Sequence, residues 1–306
     1  MWVIKPSGTL LSQFLSSFSL VYSKRRSRSG GVREKEMAGE RRWEDMEMDC
    51  LVAILQRLGL QDLTLSVPLV CRAWRKASLH PLCWRVLNLR DLDFMPWGDL
   101  TKSFMAEYRL QGFFFSGFLK LAMARGNRLV EEIMFPLLFG TSMHDLVLVS
   151  DDRCPRLKKL VLPNLSPADE ADIPKLVGKW KDLEQLEMES KPSSFLEMLS
   201  EINLHCKKFS GLKLCGSIKK EDMLAIVNLL PKLKFLCLSK SYLPREQLMG
   251  MLSGCKQLQR LTVSDCIGFE ADEEVKKRGS GIKIFEHEGS KLFDDFDYNS
   301  DECDPL

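Results

Sequence analysis

The chain of 306 residues lacks the patterns by which catalytic and metal sites announce themselves. It holds no G-x-x-x-x-G-K-[ST] loop to cradle a phosphate, no G-x-S-x-G elbow and no H-E-x-x-H pair. Histidine is scarce: His80, His144, His205 and His287 are the four, with no zinc-ligand spacing among them. Ten cysteines occur, but no two form a C-x-x-C pair, which argues against a zinc ribbon or a dithiol redox motif. They suit a reducing compartment, where a thiol behaves as a small buried hydrophobe. Apolar runs are short, and the nearest to a membrane span, residues 10–22, is broken by Ser12, Ser16, Ser17 and Ser19. Net charge is only +2, so no global field points to nucleic acid or a membrane surface. Such a chain is expected to use no cofactor or metal and to act by binding rather than by catalysis.

What is present begins with residues 43–87. Leu51, Ile54, Leu55 and Leu58 recur at i, i+3, i+4 and i+7, which predicts one apolar helix face. After Gly59 a second run places Leu63, Val67, Val70 and Trp74 at i, i+4, i+7 and i+11. Pro68 would break a single helix there, so it is expected to open a new one as its first residue. So much apolar surface on so few residues needs another partner to cover it.

These residues resemble an F-box. Met46 stands for the usual leucine, followed by Leu51, Ile54, Leu55, Leu58, Asp62-Leu63, the run Leu69 to Arg75 with its V-C-R-x-W core, and Pro81 with Trp84. One departure is Glu47, where the family has proline, and it is expected to loosen the entry to the first helix. The resemblance implies docking on a Skp-type adaptor of a cullin–RING ubiquitin ligase through Met46, Leu51, Ile54, Leu55, Leu58, Leu63, Val70, Trp74 and Trp84.

Beyond residue 130 the chain repeats. An apolar residue followed by others at +3 and +5 recurs as Leu157-Leu160-Leu162, Leu183-Leu186-Met188, Phe209-Leu212-Leu214, Leu233-Leu236-Leu238 and Leu258-Leu261-Val263. The steps are 26, 26, 24 and 25 residues, and three before each frame stands Cys154, Trp180, Cys206, Leu230 or Cys255. The cysteines among them are therefore read as core packing. Weaker units are Val130-Ile133-Phe135 and Trp84-Leu87-Leu89, with Ile282-Ile284 as a terminal capping strand. Helical spacing follows at 193–206 (Phe195, Leu196, Leu199, Ile202), 221–230 and 245–252. The L-x-x-L-x-L frame resembles the leucine-rich repeats of plant-type F-box/LRR-repeat proteins. It implies an α/β solenoid with short parallel strands on the concave face and helices on the convex face.

In that register the side chains between the frame leucines form the target surface: Lys158, Lys159 and Val161; Glu184, Gln185 and Glu187; Ser210 and Lys213; Lys234, Phe235 and Cys237; Gln259, Arg260 and Thr262. Phe235 is the large apolar residue exposed by this register, and therefore either a binding hot spot or a cover for its neighbours.

The remaining segments are less specific. Residues 1–33 carry six basic residues, eight serines and no acid. They read as an organelle transit peptide, a nuclear-import patch at 24–28, or an extension upstream of a start at Met37. Two helices are expected between 99 and 123, with Phe113, Phe114, Phe115 and Phe118 as a core plug or a substrate pocket, after a loop at Pro96-Trp97-Gly98. The tail from 286 holds eight acids against one lysine and reads as solvating or as an acidic-aromatic docking peptide. The expected organisation is a disordered extension at 1–40, an F-box at 41–88, a helical insert at 89–128, repeats at 129–286 and an acidic tail at 287–306. The family reading implies a non-catalytic substrate-recognition subunit in the nucleus or cytoplasm that binds the adaptor and a protein target. The alternative is an LRR interaction scaffold without ubiquitin delivery.

Overall fold

The computed structural model describes residues 46–137, 141–150 and 153–293. The expectations for the N-terminal extension, and for the tail beyond Phe293, lie outside the described residues. The chain divides into two compact units after Val130.

The first unit opens with α1, Met48–Leu55. Its buried face is Leu51, Val52 and Leu55, whereas Ile54 is 38% exposed and Leu58, beyond the helix end, is half-buried. The four-residue stripe read from sequence is thus corrected: a helix of eight residues ends before Leu58, and Val52 turns in where Ile54 turns out. Glu47 holds φ −53 and ψ 139, a backbone that proline also adopts, and its carbonyl accepts the first helical hydrogen bond from the Leu51 amide at 3.0 Å. The departure from the family pattern therefore leaves the helix entry intact.

Pro68 does not open an α-helix. Residues Asp62–Ser66 form one wide turn and Val67–Leu69 a 3-10 turn, and Cys71 is extended before α2 runs over Arg72–Ser78. The apolar period carries through, but the turns change from wide to tight after Ser66 and the backbone breaks at Cys71; Leu63 and Val67 are buried while Val70 is 44% exposed. A 3-10 turn, Pro81–Trp84, then drives Trp84 fully into the interior, where its indole N–H donates to the Ser78 carbonyl at 2.7 Å.

After the short strand β1, Val86–Asn88, come α3, Asp99–Tyr108, and α4, Phe115–Gly126. They enclose Phe94, Phe104, Phe113, Phe115 and Phe118, whose rings meet edge-on or stacked at centroid distances of 5.1 to 5.8 Å where Phe94 is a partner. Phe94, Phe104, Phe115 and Phe118 are therefore core, Phe113 is half-buried against them, and Phe114 is 77% exposed. The end of α4 is fastened to the same interior: the Arg125 guanidinium lies 4.7 Å from the Trp84 ring centre and donates to the Tyr108 hydroxyl at 2.6 Å.

The second unit is a repeat stack. Strands β2 (Glu132–Met134), β3 (Lys159–Val161), β4 (Gln185–Glu187), β5 (Gly211–Lys213), β6 (Phe235–Cys237), β7 (Arg260–Thr262) and β8 (Ile284–Glu286) pair parallel in chain order. Their register carries Ile133, Leu160, Leu186, Leu212, Leu236, Leu261 and Phe285 side by side. Helices α5 (Met143–Ser150), α6 (Pro167–Glu170), α7 (Ile173–Val177), α8 (Phe195–His205), α9 (Lys220–Leu229), α10 (Arg245–Gly254) and α11 (Glu273–Gly279) return the chain between strands. From Ile133 to Leu261 the residues of this register face the helices and are buried, each worth about 1.5–3 kcal/mol for a fully covered aliphatic side chain, and Phe285 is half-buried.

Three details differ from the sequence reading. In α8 the buried residues are Phe195, Met198, Leu199 and Ile202, and Leu196 faces solvent. The last strand is shifted: Phe285, not Ile284, occupies the inward position, which makes Ile282-Phe285-His287 a further frame disguised by its polar third member. Among the anchors Cys154 and Cys206 are buried, but Cys255 is only half so. Burial pushes the thiols of Cys154 and Cys206 up to about 12. The Cys206 thiol donates to the Trp180 carbonyl at 3.4 Å, which ties this repeat to the one before it.

Candidate protein-interaction surfaces

The first candidate surface lies on the first unit. Of the predicted adaptor-binding residues, Leu51, Leu55, Leu63, Trp74 and Trp84 are buried within the unit itself. Ile54 and Val70 are exposed, and Met46 and Leu58 are half-buried. Leu69 (67% exposed), Leu79 and Leu82 join them, and sequence periodicity had no means to find these three because they sit in turns rather than on a helix face. The module thus has a filled core and also keeps large aliphatic side chains outside.

The second surface is the strand face of the repeat unit. Side chains alternate along a strand, so residues flanking each buried leucine point away from the helices. A shallow groove of about 410 Å³ lies there, lined by Gln185, Glu187, Gly211, Lys213, Phe235, Cys237, Arg260, Thr262 and Glu286. Seven residues predicted from sequence meet in it, namely Gln185, Glu187, Lys213, Phe235, Cys237, Arg260 and Thr262. Lys159 reaches Glu187 from beside it at 2.7 Å.

Lys158, Glu184, Lys234 and Gln259 stand outside the groove, at the strand entry. There one carbonyl accepts two amides of the next repeat: Lys158 from Glu184 and Gln185 (2.7 and 2.9 Å), Lys234 from Gln259 and Arg260 (2.8 and 2.9 Å). Val161, expected on the exposed face, is buried at 2%. Gly211 escaped the sequence reading because it bears no side chain, yet its bareness shapes the groove. A Cβ there would stand 2.8 Å from the Gln185 Cγ, and the register sets it beside Phe235. Glu286 was missed because the last strand was placed two residues early.

The charges of this face are largely paired with one another. Glu187 lies between Lys159 (2.7 Å) and Lys213 (3.5 Å), and Glu286 accepts from Arg260 (2.9 Å) and Thr262 (2.7 Å). Burial alone would raise the Glu187 carboxyl, but Lys159 and Lys213 outweigh it and hold the group below its ordinary range. Phe235 stands 39% exposed among these pairs.

No protein-family profile matches the chain. Curated relatives do: an F-box/LRR-repeat protein of Arabidopsis thaliana is 30% identical over 231 residues, covering 76% of this chain and 74% of the relative. The chain belongs to the F-box/LRR-repeat family. The F-box protein SKIP19 of the same plant is 28% identical over 277 residues, covering 88% and 85%. A putative F-box/LRR-repeat protein 9 is 25% identical over 241 residues, covering 78% and 93%. The α/β repeat architecture above is what this plant F-box/LRR-repeat membership leads one to expect.

Proposed function

We propose that this F-box/LRR-repeat protein is the substrate-recognition subunit of a Skp–cullin–F-box ubiquitin ligase, without catalysis of its own. Residues 46–87 dock on the Skp-type adaptor and the strand face of the repeats holds a protein target. The observation that carries the reading is the module's division of labour. Leu51, Leu55, Leu63 and Trp84 complete an internal core, and Ile54, Leu69, Val70, Leu79 and Leu82 remain outside it. Exposed aliphatic groups gathered on one small module are a cost in a free monomer and a gain once a partner covers them. Ubiquitin transfer is then the work of the ligase's other subunits, and this chain supplies proximity by raising the effective concentration of target lysines. Such a subunit works in the nucleus or cytoplasm, which imaging of fluorescent fusions with and without residues 1–36 tests.

The deciding experiment is co-purification of the full chain with a Skp-type adaptor. Leu55→Asp is unsuitable because Leu55 is fully buried, and a charge there would unfold the module and mimic lost docking. Ile54→Asp and Val70→Asp act on exposed positions. We expect a stoichiometric complex for the wild type and at least a tenfold loss for each variant, roughly 1.4 kcal/mol or more, at unchanged circular dichroism. Equal binding by all three proteins would remove docking through this surface.

A further inference from the structure

The repeat unit is charge-segregated in a way that the pairing within the groove conceals. The turns that lead from each helix to the next strand, residues 153–157, 178–182, 206–209, 230–233 and 255–258, carry eight cations against one acid, Asp182. At least one exposed cation stands in each turn, among them Arg156, Lys181, Lys207, Lys232 and Lys256. The first turns of α6, α8, α9, α10 and α11 are acidic, with Glu170, Glu197, Glu221, Glu246 and Glu273, while that of α7, which leads into 178–182, holds no acid. The helix dipole accounts for the sense of this segregation, since carbonyl ends favour cations. It accounts for only part of its extent. Lys207 donates to the Asn203 carbonyl at 2.9 Å and Lys232 to the Lys207 carbonyl at 3.3 Å. Asp182 is engaged by Lys208 at 2.8 Å, which leaves the rim with a net positive charge.

This rim runs beside the entry ends of the strands that floor the groove. The groove's own acids do not oppose an anion, because Glu187 and Glu286 are each held by cations. Lys213 is the loosest of these, 3.5 Å from Glu187 and 40% exposed, and is therefore available to a second carboxylate. At the middle of the groove stands the Phe235 ring, with the bare Gly211 backbone next to it in register. Adjacent strands lie about 4.8 Å apart, so β4 to β8 spans about 19 Å, the length of about six extended residues.

We infer that the strand face takes an extended acidic segment of a partner protein, its carboxylates along the rim of Arg156 to Lys256 and one apolar or aromatic side chain against Phe235 over Gly211. This rests on the proposed substrate-recognition role and specifies the class of target. Its test uses direct binding, so its failure is distinct from a failure of adaptor docking, which co-purification reads separately.

The probe is a fluorescein-labelled heptapeptide of six acidic residues around a central phenylalanine, titrated with the full chain while anisotropy is followed. We expect saturable binding that weakens as salt rises, since an attraction between exposed charges is screened within about 8 Å at physiological ionic strength. The variant Lys181→Glu/Lys256→Glu changes two exposed side chains and should bind roughly tenfold more weakly, with an unchanged melting temperature. Phe235→Ala, or alanine for the peptide's phenylalanine, should also lose roughly fivefold, as expected for a central apolar anchor. Equal binding of a lysine-for-acid peptide, or indifference to both variants, overturns the inference. So does tenfold tighter binding by a chain ending at Phe293, because that result makes the chain's own residues 294–306 the occupant.

Discussion

At the scale of the residue, position and chemistry separate neighbours that the sequence treats alike. Ile54 and Leu55 are adjacent aliphatics, yet Leu55 is fully buried and Ile54 is 38% exposed, so one maintains the fold and the other faces outward. Glu187 shows the same dependence on surroundings. Lys159 and Lys213 bring its folded-state carboxyl below the ordinary range against the effect of burial. A carboxyl depressed on folding contributes stability that is fully present above its unfolded value and is lost as pH falls through the folded one. We therefore expect wild-type stability to decline between about pH 5 and pH 3 more steeply than that of Glu187→Gln, because an unfolded glutamate titrates near pH 4.3. Urea midpoints measured across that range decide it. Parallel curves would mean that the Lys159–Glu187–Lys213 cluster adds nothing to stability.

At the scale of the element, each repeat is secured to its neighbour by a small set of polar ties as well as by its leucines. Asp222, in the first turn of α9, accepts the Lys219 amide at 2.7 Å and the Lys191 ammonium of the preceding repeat at 2.6 Å. Both partners of that ion pair are well covered, with side-chain exposures of 17% and 7%. Removing one partner of a buried pair leaves the other charge uncompensated, at a cost of about 3–5 kcal/mol. Asp222→Ala should lower unfolding stability by roughly that amount, and Lys191→Met, which keeps the stem but leaves the Asp222 carboxylate uncompensated, should cost a comparable amount. Denaturant unfolding of both variants checks this, and a loss below about 1 kcal/mol for Asp222→Ala would place the tie at the level of a surface pair. The sequence showed α9 through its apolar period. It did not show the tie, because Lys191 and Asp222 are 31 residues apart and lie outside the leucine frame.

At the scale of the whole molecule, the two units stabilise themselves by different means. The first closes a mixed core of aliphatic and aromatic side chains around Trp84, Phe104 and Phe118. The second is quasi-one-dimensional, with each strand paired only to those before and after it. Opening of such a stack starts at its ends, where one neighbouring interface is missing. Amide hydrogen exchange should accordingly be slowest in β4, β5 and β6 and fastest in β8, the last strand among the described residues. Uniform protection from β4 to β8 would show instead that the unit opens all at once.

The amino-acid sequence determined the repeat frame by itself, because burial against helices demands apolar residues at +3 and +5 in every turn. The frame from Leu157 to Val263 can therefore be read without coordinates. Most of the groove followed from it, since residues that alternate with buried leucines must face the other way. Tertiary structure decided what no period encodes. In residues 46–87 the helical turns change from wide to tight after Ser66 and the backbone breaks at Cys71, so a helical wheel misplaces Val70, and packing alone selects Val52 over Ile54 for the interior. It also decided the role of Gly211, whose contribution is the side chain it lacks, and of Glu286, brought into the groove by a strand register that Phe285 sets. Periodic burial is a local constraint repeated along the chain and so leaves its mark on the sequence. The meeting of irregular turns is set by contacts between distant residues, and these exist only once the chain has folded.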